Sequence, residues 1–235
     1  MIKLSIVIPV FNALESLKGT LRSVINNTDN LYEIILVDDH SEEETQIFID
    51  SLRLEESLAC RLTKTRNPKH LWTNASWNMG VSLATGDFIA ILNSDINVSP
   101  HWDTALIEQL KTSTIACPYE LKADGSFQKL DPLIEKVHPG MLKGACFMFS
   151  SQYKYDWLFP IPVMLTHWCG DNYLADRAEK AKGVAFAKGA TITHAITQSG
   201  RLIDPAVYKA VCKQDVLNYQ RLSGRDMSLV LEQIS

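Results

Sequence analysis

Gly86-Asp87-Phe88-Ile89-Ala90-Ile91-Leu92-Asn93-Ser94-Asp95-Ile96-Asn97 is the stretch that decides how the chain is read. Phe88 to Leu92 is an unbroken apolar run, the signature of a strand buried on both faces. It stops at a polar cluster carrying one carboxylate, Asp95. In an open parallel sheet, ligands bind just beyond the carboxyl ends of such strands, where a lone acid can hold a metal and, through it, a phosphate. Asn93, Ser94 and Asp95 read equally well as ordinary turn residues at a strand end. The rest of the chain has to decide between the two.

Upstream, Leu4 to Val10 is another β-branched and apolar run, with Pro9 near its end, where a ladder hydrogen bond is no longer needed. Asn12 and Glu15 have the spacing of a capping box, and Leu14, Leu17, Leu21, Val24 and Ile25 follow at helical spacing. Ile34 to Val37 predicts a second strand ending in Asp38-Asp39-His40-Ser41. Ser41 and Glu44 then repeat the capping signature, and Ile47, Phe48 and Leu52 supply that helix's apolar side. Cys60 to Lys64 alternates with charge and predicts a weaker strand. Trp72, Ala75, Met79 and Leu83 mark a helix that Thr85-Gly86 closes as a glycine stop. Strands and helices alternating at this interval predict an α/β fold: βαβ units on a Rossmann-like, mostly parallel twisted sheet with flanking helices. Right-handed crossovers gather the strand ends along one edge.

Downstream, Ser99 is placed to cap a helix with Pro100 at its first position, and Trp102, Leu106 and Leu110 share a face. Ile115 to Tyr119 predicts a strand, and Asp124-Gly125 is a hairpin signal. Pro132, Pro139 and Gly140 punctuate a looser segment, so the first half ends near residue 120 without a flexible linker. The loop-rich second half, 121–235, predicts strands at Ala145 to Phe149 and Val184 to Lys188, a helix from Asn172 to Ala181, and a closing helix from Ala206 to Asn218 introduced by Asp204-Pro205. Both halves belong to a single domain, 1–235. Asp156 to Leu165 is the most apolar part of the second half. It is expected to tuck under the core, with an acceptor wall or lid stiffened by Pro160 and Pro162 as the competing reading.

With 235 residues and 46% hydrophobic content, the chain has enough apolar side chain for one large domain. A net charge of -4 and a pI near 5.9 supply no general attraction for a polyanion, which disfavours nucleic acid as a partner. The five cysteines, Cys60, Cys117, Cys146, Cys169 and Cys212, form no closely spaced pair of the kind a zinc site uses. Reduced, mostly buried thiols are the simplest account. Met1-Ile-Lys-Leu runs straight into a strand pattern without the features of a signal peptide, and no apolar stretch is long enough for a bilayer. The expectation is a cytoplasmic protein, at most peripheral at the inner membrane face.

Ordered along the chain, Ser5-Ile-Val-Ile-Pro-Val-Phe-Asn12, Ile35-Leu-Val-Asp-Asp-His-Ser41, Ala75-Ser-Trp-Asn-Met-Gly80, Ala84-Thr-Gly-Asp-Phe88 and Leu92-Asn-Ser-Asp95 resemble the motifs of family 2 glycosyltransferases. Gly144-Ala-Cys-Phe-Met-Phe149 and Gly170-Asp-Asn-Tyr-Leu-Ala-Asp-Arg177 are similar to later, shorter elements of that family. The resemblance implies a GT-A fold. It also implies an inverting, metal-assisted transfer of a sugar from a nucleoside diphosphate sugar, a UDP-sugar first among them, to an acceptor hydroxyl.

Position by position, the resemblance implies that Pro9 and Phe11 line the nucleotide base, that Asp39 accepts from it, and that Asp38 supports Asp39. Asp95 would bind Mn²⁺ or Mg²⁺. Asn93 and Ser94 would lie beside the donor, with Asn93 standing where the family's first acid stands: an amide that can accept from a ribose hydroxyl but brings no charge to a metal. His194 resembles a late histidine that serves as a further metal ligand, and reads equally as a surface or core histidine. Asp171 matches the general base, although Gly170 leaves one acid where the family has a pair, and a plain helix-start acid is the alternative. Arg177 would orient an acid or form a surface pair, and Trp157 and Trp168 would stack on a sugar or base. The acceptor is a saccharide or another hydroxyl, with a modified nucleobase of phage DNA as the alternative. A catalytically silent nucleotide-sugar-binding module is the rival from another class. A nucleotidyltransferase would carry a glycine-rich, basic loop after the first strand, where this chain has Phe11-Asn12-Ala13-Leu14.

Overall fold

The computed structural model describes residues 2–122, 126, 142, 144–155, 157–194 and 203–234. The Asp124-Gly125 turn, the Pro132, Pro139 and Gly140 punctuation and Asp156 lie outside them. One eight-stranded sheet of order β3-β2-β1-β4-β7-β6-β8-β5 runs through both halves of the sequence. Its strands are β1 (Leu4–Val10), β2 (Leu31–Asp38), β3 (Arg61–Arg66), β4 (Phe88–Leu92), β5 (Ile96–Val98), β6 (Ile115–Leu121), β7 (Cys146–Ser150) and β8 (Val184–His194). The helices are α1 (Leu14–Asn27), α2 (Glu43–Ser51), α3 (Trp72–Leu83), α4 (Trp102–Gln109), α5 (Gly170–Glu179), α6 (Pro205–Ser223) and α7 (Ser228–Ile234).

From β3 to β4 every pairing is parallel, as the strand-helix alternation predicts. The second half makes the sheet mixed: β7 runs antiparallel to β4 and β6, β8 parallel to β6, and β5 antiparallel to β8. Strand alternation sorts the core into two layers. Val7, Ile35, Val37, Ile89, Ile91, Phe147 and Phe149 face one side of the sheet with Trp77. Leu4, Ile6, Ile8, Ile34, Leu36, Ala90, Leu92 and Met148 face the other with Leu17 and Trp102. The charge in β3 follows from its place at the sheet edge, where one side of the strand has no neighbour to pack against.

Several local expectations are replaced by longer-range partners. Asn12 does not cap α1. Its backbone N–H donates to Ser41 Oγ (2.8 Å) and its Oδ1 accepts from Glu42 N (2.7 Å), so the residues predicted to cap two helices instead tie two turns together. Ala13, at φ 56°, opens α1, and Glu42 precedes α2. Ile47 is 59% exposed, and Ile49 and Thr45 take the buried face of α2. In α3 the buried side is Asn74, Ser76, Trp77, Gly80 and Val81, whereas Met79 and Leu83 are exposed. Ser99 Oγ accepts from Thr191 N (3.1 Å), and His101 rather than Ser99 caps α4.

Gly86 is not a helix stop. A Cβ there would lie 2.7 Å from Lys3 O and 2.6 Å from Ser5 Oγ, so the glycine permits the β1 backbone to pass close by. The expected tucking of the Pro-rich segment is seen at Leu158, Phe159, Ile161 and Leu165, all buried, while Val163 stands outside. All five cysteines are free thiols, and four of them are buried. Among the described residues no helix is long and apolar enough to cross a membrane.

Candidate active site

The chain leaves β1 for β2 and β3 on one side and returns to β4 on the other, which opens a crevice between the carboxyl ends of β1 and β4. A cleft of about 410 Å³ lies there, within the range of small-molecule sites. Pro9, Val10 and Phe11 from the end of β1 line it, as do Asn93, Ser94 and Asp95 from the end of β4 and Asp171 from α5. Residues from the ends of β1, β2, β4 and β8 and the start of α5 thus converge on one space, bringing together the predicted Pro9, Phe11, Asp39, Asn93, Ser94, Asp95, Asp171 and His194 but not Asp38.

Asp38 is buried beneath the first turn, where its carboxylate accepts from Ser41 N (2.8 Å) and pairs with Arg66. It holds the β2 turn and does not line the cleft. Asp39 does line it, but in a different role from the one expected. Its Oδ1 accepts from Asn67 Nδ2 (2.7 Å) and Leu71 N (2.8 Å), and its Oδ2 from Trp72 N (2.8 Å), with His70 Nδ1 at 2.9 Å. Each oxygen is already met by two partners, which is the ordinary capacity of a carboxylate. Asp39 therefore anchors the backbone that enters α3. That anchor accounts for Trp72 at φ 71°, a left-handed conformation costly for a bulky residue.

The result is a row of rings across the cleft. Phe11 lies 4.0 Å from His70, His70 4.6 Å from Trp72, and Trp72 5.3 Å from His167, which meets Tyr208 at 5.2 Å. On the far side Asp215 of α6 accepts from the backbone N–H groups of Thr166, His167 and Trp168 at 2.7–2.8 Å. One buried carboxylate thus holds each of the two turns that carry the inner rings of the row. Burial, then the neighbouring His70, push the His167 pKa down to about 4 against the pull of Asp39, so its ring presents an uncharged face. Trp168 lines the cleft and gives its indole N–H to Tyr208 Oη (3.3 Å); Trp157 packs against the core instead. The sequence carries no periodic signal for His70, His167 or Tyr208, because they come from turns and a helix end.

Asp95 and His194 meet because β5 starts immediately after Asp95 and pairs Ile96 with His194 of β8. His194 Nε2 lies 3.2 Å from Asp95 Oδ1, and its Nδ1 lies 3.6 Å from Glu120 Oε1. Burial opposes charge on this imidazole, and the two carboxylates outweigh it, raising the pKa to about 9. The spot favours positive charge. His194, expected to follow its strand, is the last residue of it. Among the described lining residues there is no lysine or arginine, so the acids Asp39, Asp95 and Asp171 are set against His194 alone as a raised-pKa cation.

Asp171 sits in the first turn of α5, whose cap Cys169 is at φ 60°. Its Oδ1 accepts from Asn172 N (2.9 Å), and burial raises its pKa above the usual carboxylate value against backbone donation from Asn172 and Gly144. A buried carboxylate facing a cleft with a raised pKa has the character of a general base. The absent partner acid has a steric reason. A Cβ on Gly170 would lie 2.6 Å from Asn74 Cγ and 2.9 Å from Asn74 Nδ2, so the Asn74 amide occupies the space a side chain at 170 would need. Arg177 lies with its guanidinium 5.6 Å over the Tyr173 ring, outside the cleft lining.

The sequence profile described as "Glycosyl transferase family 2" matches residues 5–143. Over 165 residues the chain is 31% identical to polypeptide N-acetylgalactosaminyltransferase 11 of Xenopus tropicalis, a match spanning 68% of this chain and 26% of that one. It is 28% identical over 144 residues to the amylovoran biosynthesis glycosyltransferase AmsB of Erwinia amylovora, spanning 56% of this chain and 46% of that one. The chain thus spans less than half the length of either relative. The fold is that of GalNAc-T7 in its crystal structure with UDP, GalNAc and Mn²⁺ (TM-score 0.64, 18% identity, 83% of this chain and 44% of that one). It is equally that of residues 1–349 of TarS from S. aureus (TM-score 0.64, 13% identity, 94% of this chain and 72% of that one). The likeness to both is one of fold, and it bears out the expected GT-A architecture.

Proposed function

The chain belongs to glycosyl transferase family 2, and from that premise we propose that it transfers a sugar, with inversion, from a UDP-sugar to a saccharide hydroxyl. The observation that carries this reading is the convergence of Asp171, Asp95 and His194 on one cleft at the carboxyl ends of β1 and β4. The nucleobase lies against Pro9 and Phe11, with the ribose and diphosphate toward Asn93, Ser94 and Asp95. The Asn93 amide accepts from a ribose hydroxyl as a carboxylate would, without its charge.

Asp95 and His194 would hold Mn²⁺ or Mg²⁺, the carboxylate serving either ion and the imidazole nitrogen favouring Mn²⁺, and among the described lining residues no lysine or arginine offsets the charge of a diphosphate. When bound, the ion supplies Lewis-acid stabilisation of the leaving diphosphate. Asp171 takes the acceptor proton as the acceptor oxygen forms its bond to the anomeric carbon, and the bond from that carbon to the diphosphate breaks with its electron pair leaving on the diphosphate. The uncharged ring faces of Trp72 and His167 suit the apolar face of a sugar.

A panel of sugar nucleotides incubated with Mn²⁺ or Mg²⁺, with and without chelator and with oligosaccharide acceptors, tests this. Metal-dependent nucleotide release with one donor is expected. Tight UDP binding with no release from any donor would identify a silent binding module instead.

A further inference from the structure

Asp95 and His194 line the cleft, but a third charged group stands behind them. Glu120, near the end of β6, is 7% exposed, does not line the cleft, and points its Oε1 at His194 Nδ1 from 3.6 Å. The strands fix this arrangement. Glu120 pairs with Ile192 in the parallel β6–β8 ladder, and His194 pairs with Ile96, the residue after Asp95, in the antiparallel β5–β8 ladder. The imidazole is therefore held between two carboxylates, one on each ring nitrogen, with Nε2 on the cleft side. Among the described residues no three acidic, histidine or cysteine side chains are grouped so as to hold an ion by themselves. Two protein ligands with the remainder supplied by a diphosphate is the usual arrangement for a phosphate-bound divalent cation. With so few ligands, the orientation of the one imidazole matters more.

We infer that Glu120 is a positioning residue that takes the Nδ1 proton of His194 in a hydrogen bond and so fixes the ring with the Nε2 lone pair directed at the cation beside Asp95. A carboxylate behind a ligating histidine fixes its tautomer and raises its basicity, and its loss commonly costs 10- to 100-fold in metal affinity. This inference rests on the metal-assisted reading above, since without a cation at Asp95 the tautomer of His194 has no task.

Mn²⁺ binding to the protein, with and without UDP, is followed by electron paramagnetic resonance for the wild type, Glu120→Gln and His194→Ala. The wild type is expected to bind Mn²⁺ far more tightly with UDP than without. Glu120→Gln should weaken the Mn²⁺ affinity about 10- to 100-fold, with UDP affinity in the absence of metal and the unfolding midpoint unchanged. Glu120→Gln binding Mn²⁺ as the wild type does, while His194→Ala does not, overturns the inference and leaves the metal-assisted reading standing. His194→Ala binding as the wild type does removes the ligand and with it the inference. No Mn²⁺ binding by the wild type with UDP overturns both. Long-range ¹H–¹⁵N spectra of the wild-type imidazole with UDP and diamagnetic Cd²⁺ in place of Mn²⁺, an ion that accepts imidazole, need no variant. They are expected to show Nδ1 protonated and Nε2 coordinated, and the opposite tautomer refutes the assignment.

Discussion

Gly170→Ala tests whether the lone acid at the start of α5 is a consequence of packing. The added methyl carbon would lie 2.6 Å from Asn74 Cγ and 2.9 Å from Asn74 Nδ2, roughly an ångström inside ordinary contact. Asn74 cannot yield freely. It is 1% exposed, and its Nδ2 donates to Leu165 O (3.0 Å) and Trp168 O (3.3 Å), the segment that leads into α5. Overpacking at such a site costs about 1–3 kcal/mol, and each hydrogen bond lost as the amide turns away costs about 1 kcal/mol. The better helix propensity of alanine returns up to about 1 kcal/mol. With both hydrogen bonds lost a net cost of about 2–5 kcal/mol is expected, which for a chain of this size lowers Tm by about 4–20 °C. Thermal unfolding of Gly170→Ala, Asn74→Ala and the double variant measures it. In the Asn74→Ala background the alanine at 170 should cost at least about 1 kcal/mol less, because the two groups share one space. Turnover should fall with Gly170→Ala, since Asp171 is the next residue and moves with the helix start. Equal cost in both backgrounds, or a Gly170→Ala protein within about 0.5 kcal/mol of wild type, would refute the steric account of the missing acid.

Asp171→Asn should lower kcat by at least about 100-fold while leaving UDP affinity unchanged. Because burial raises the Asp171 pKa and the base must be ionised, the acid limb of the kcat/KM profile should fall at a higher pH than an ordinary carboxylate gives, and a limb at the ordinary value would show another group acting. His167 binds its proton near pH 4 in the fold and near 6.5 when unfolded, so the unfolded state takes up the proton first as pH falls. The stability present above pH 6.5 is therefore lost at up to about 1.4 kcal/mol per pH unit between 6.5 and 4, and urea midpoints of wild type and His167→Gln should converge toward the acid end. Asp215→Ala leaves the Thr166, His167 and Trp168 N–H groups without their acceptor and should cost about 3–5 kcal/mol in denaturant unfolding; a loss below about 1 kcal/mol would show that solvent replaces the carboxylate there.

Much of the first half was legible in the sequence because its signals are local. Apolar runs of strand length, helical spacing between them, and an ordered set of turn motifs predict the parallel strands of the first half, whose order β3-β2-β1-β4 the structure supplies, and place Asp95 and Asp39 at strand ends. Asp171 was legible for the same reason, as an acid in a helix's first turn within a family motif. What failed were three of the inferences that assumed a polar residue serves its nearest neighbour, whereas Asp204 does cap α6, accepting from Ala206 N and Val207 N. Asn12, Ser41 and Ser99 bond across turns that only folding brings together. Trp77 and Val81 rather than Met79 and Leu83 face the core, because the α3 axis is set by the sheet beneath it and not by the pattern of its own apolar residues.

The sequence by itself determined most of the strands and the acids at their ends, though not the short β5 or the full length of β8, since hydrophobic periodicity and turn chemistry act over a few residues. Only the tertiary structure decided which acids remain available. It surrounded Asp39 with three donors and the His70 imidazole, set Asp38 beneath its turn, used Asn74 to exclude a second acid at 170, and brought His194 and Glu120 to Asp95 through strand pairings. The physical reason is that a carboxylate's role is fixed by the donors around it, and here those donors come from segments far apart in the chain.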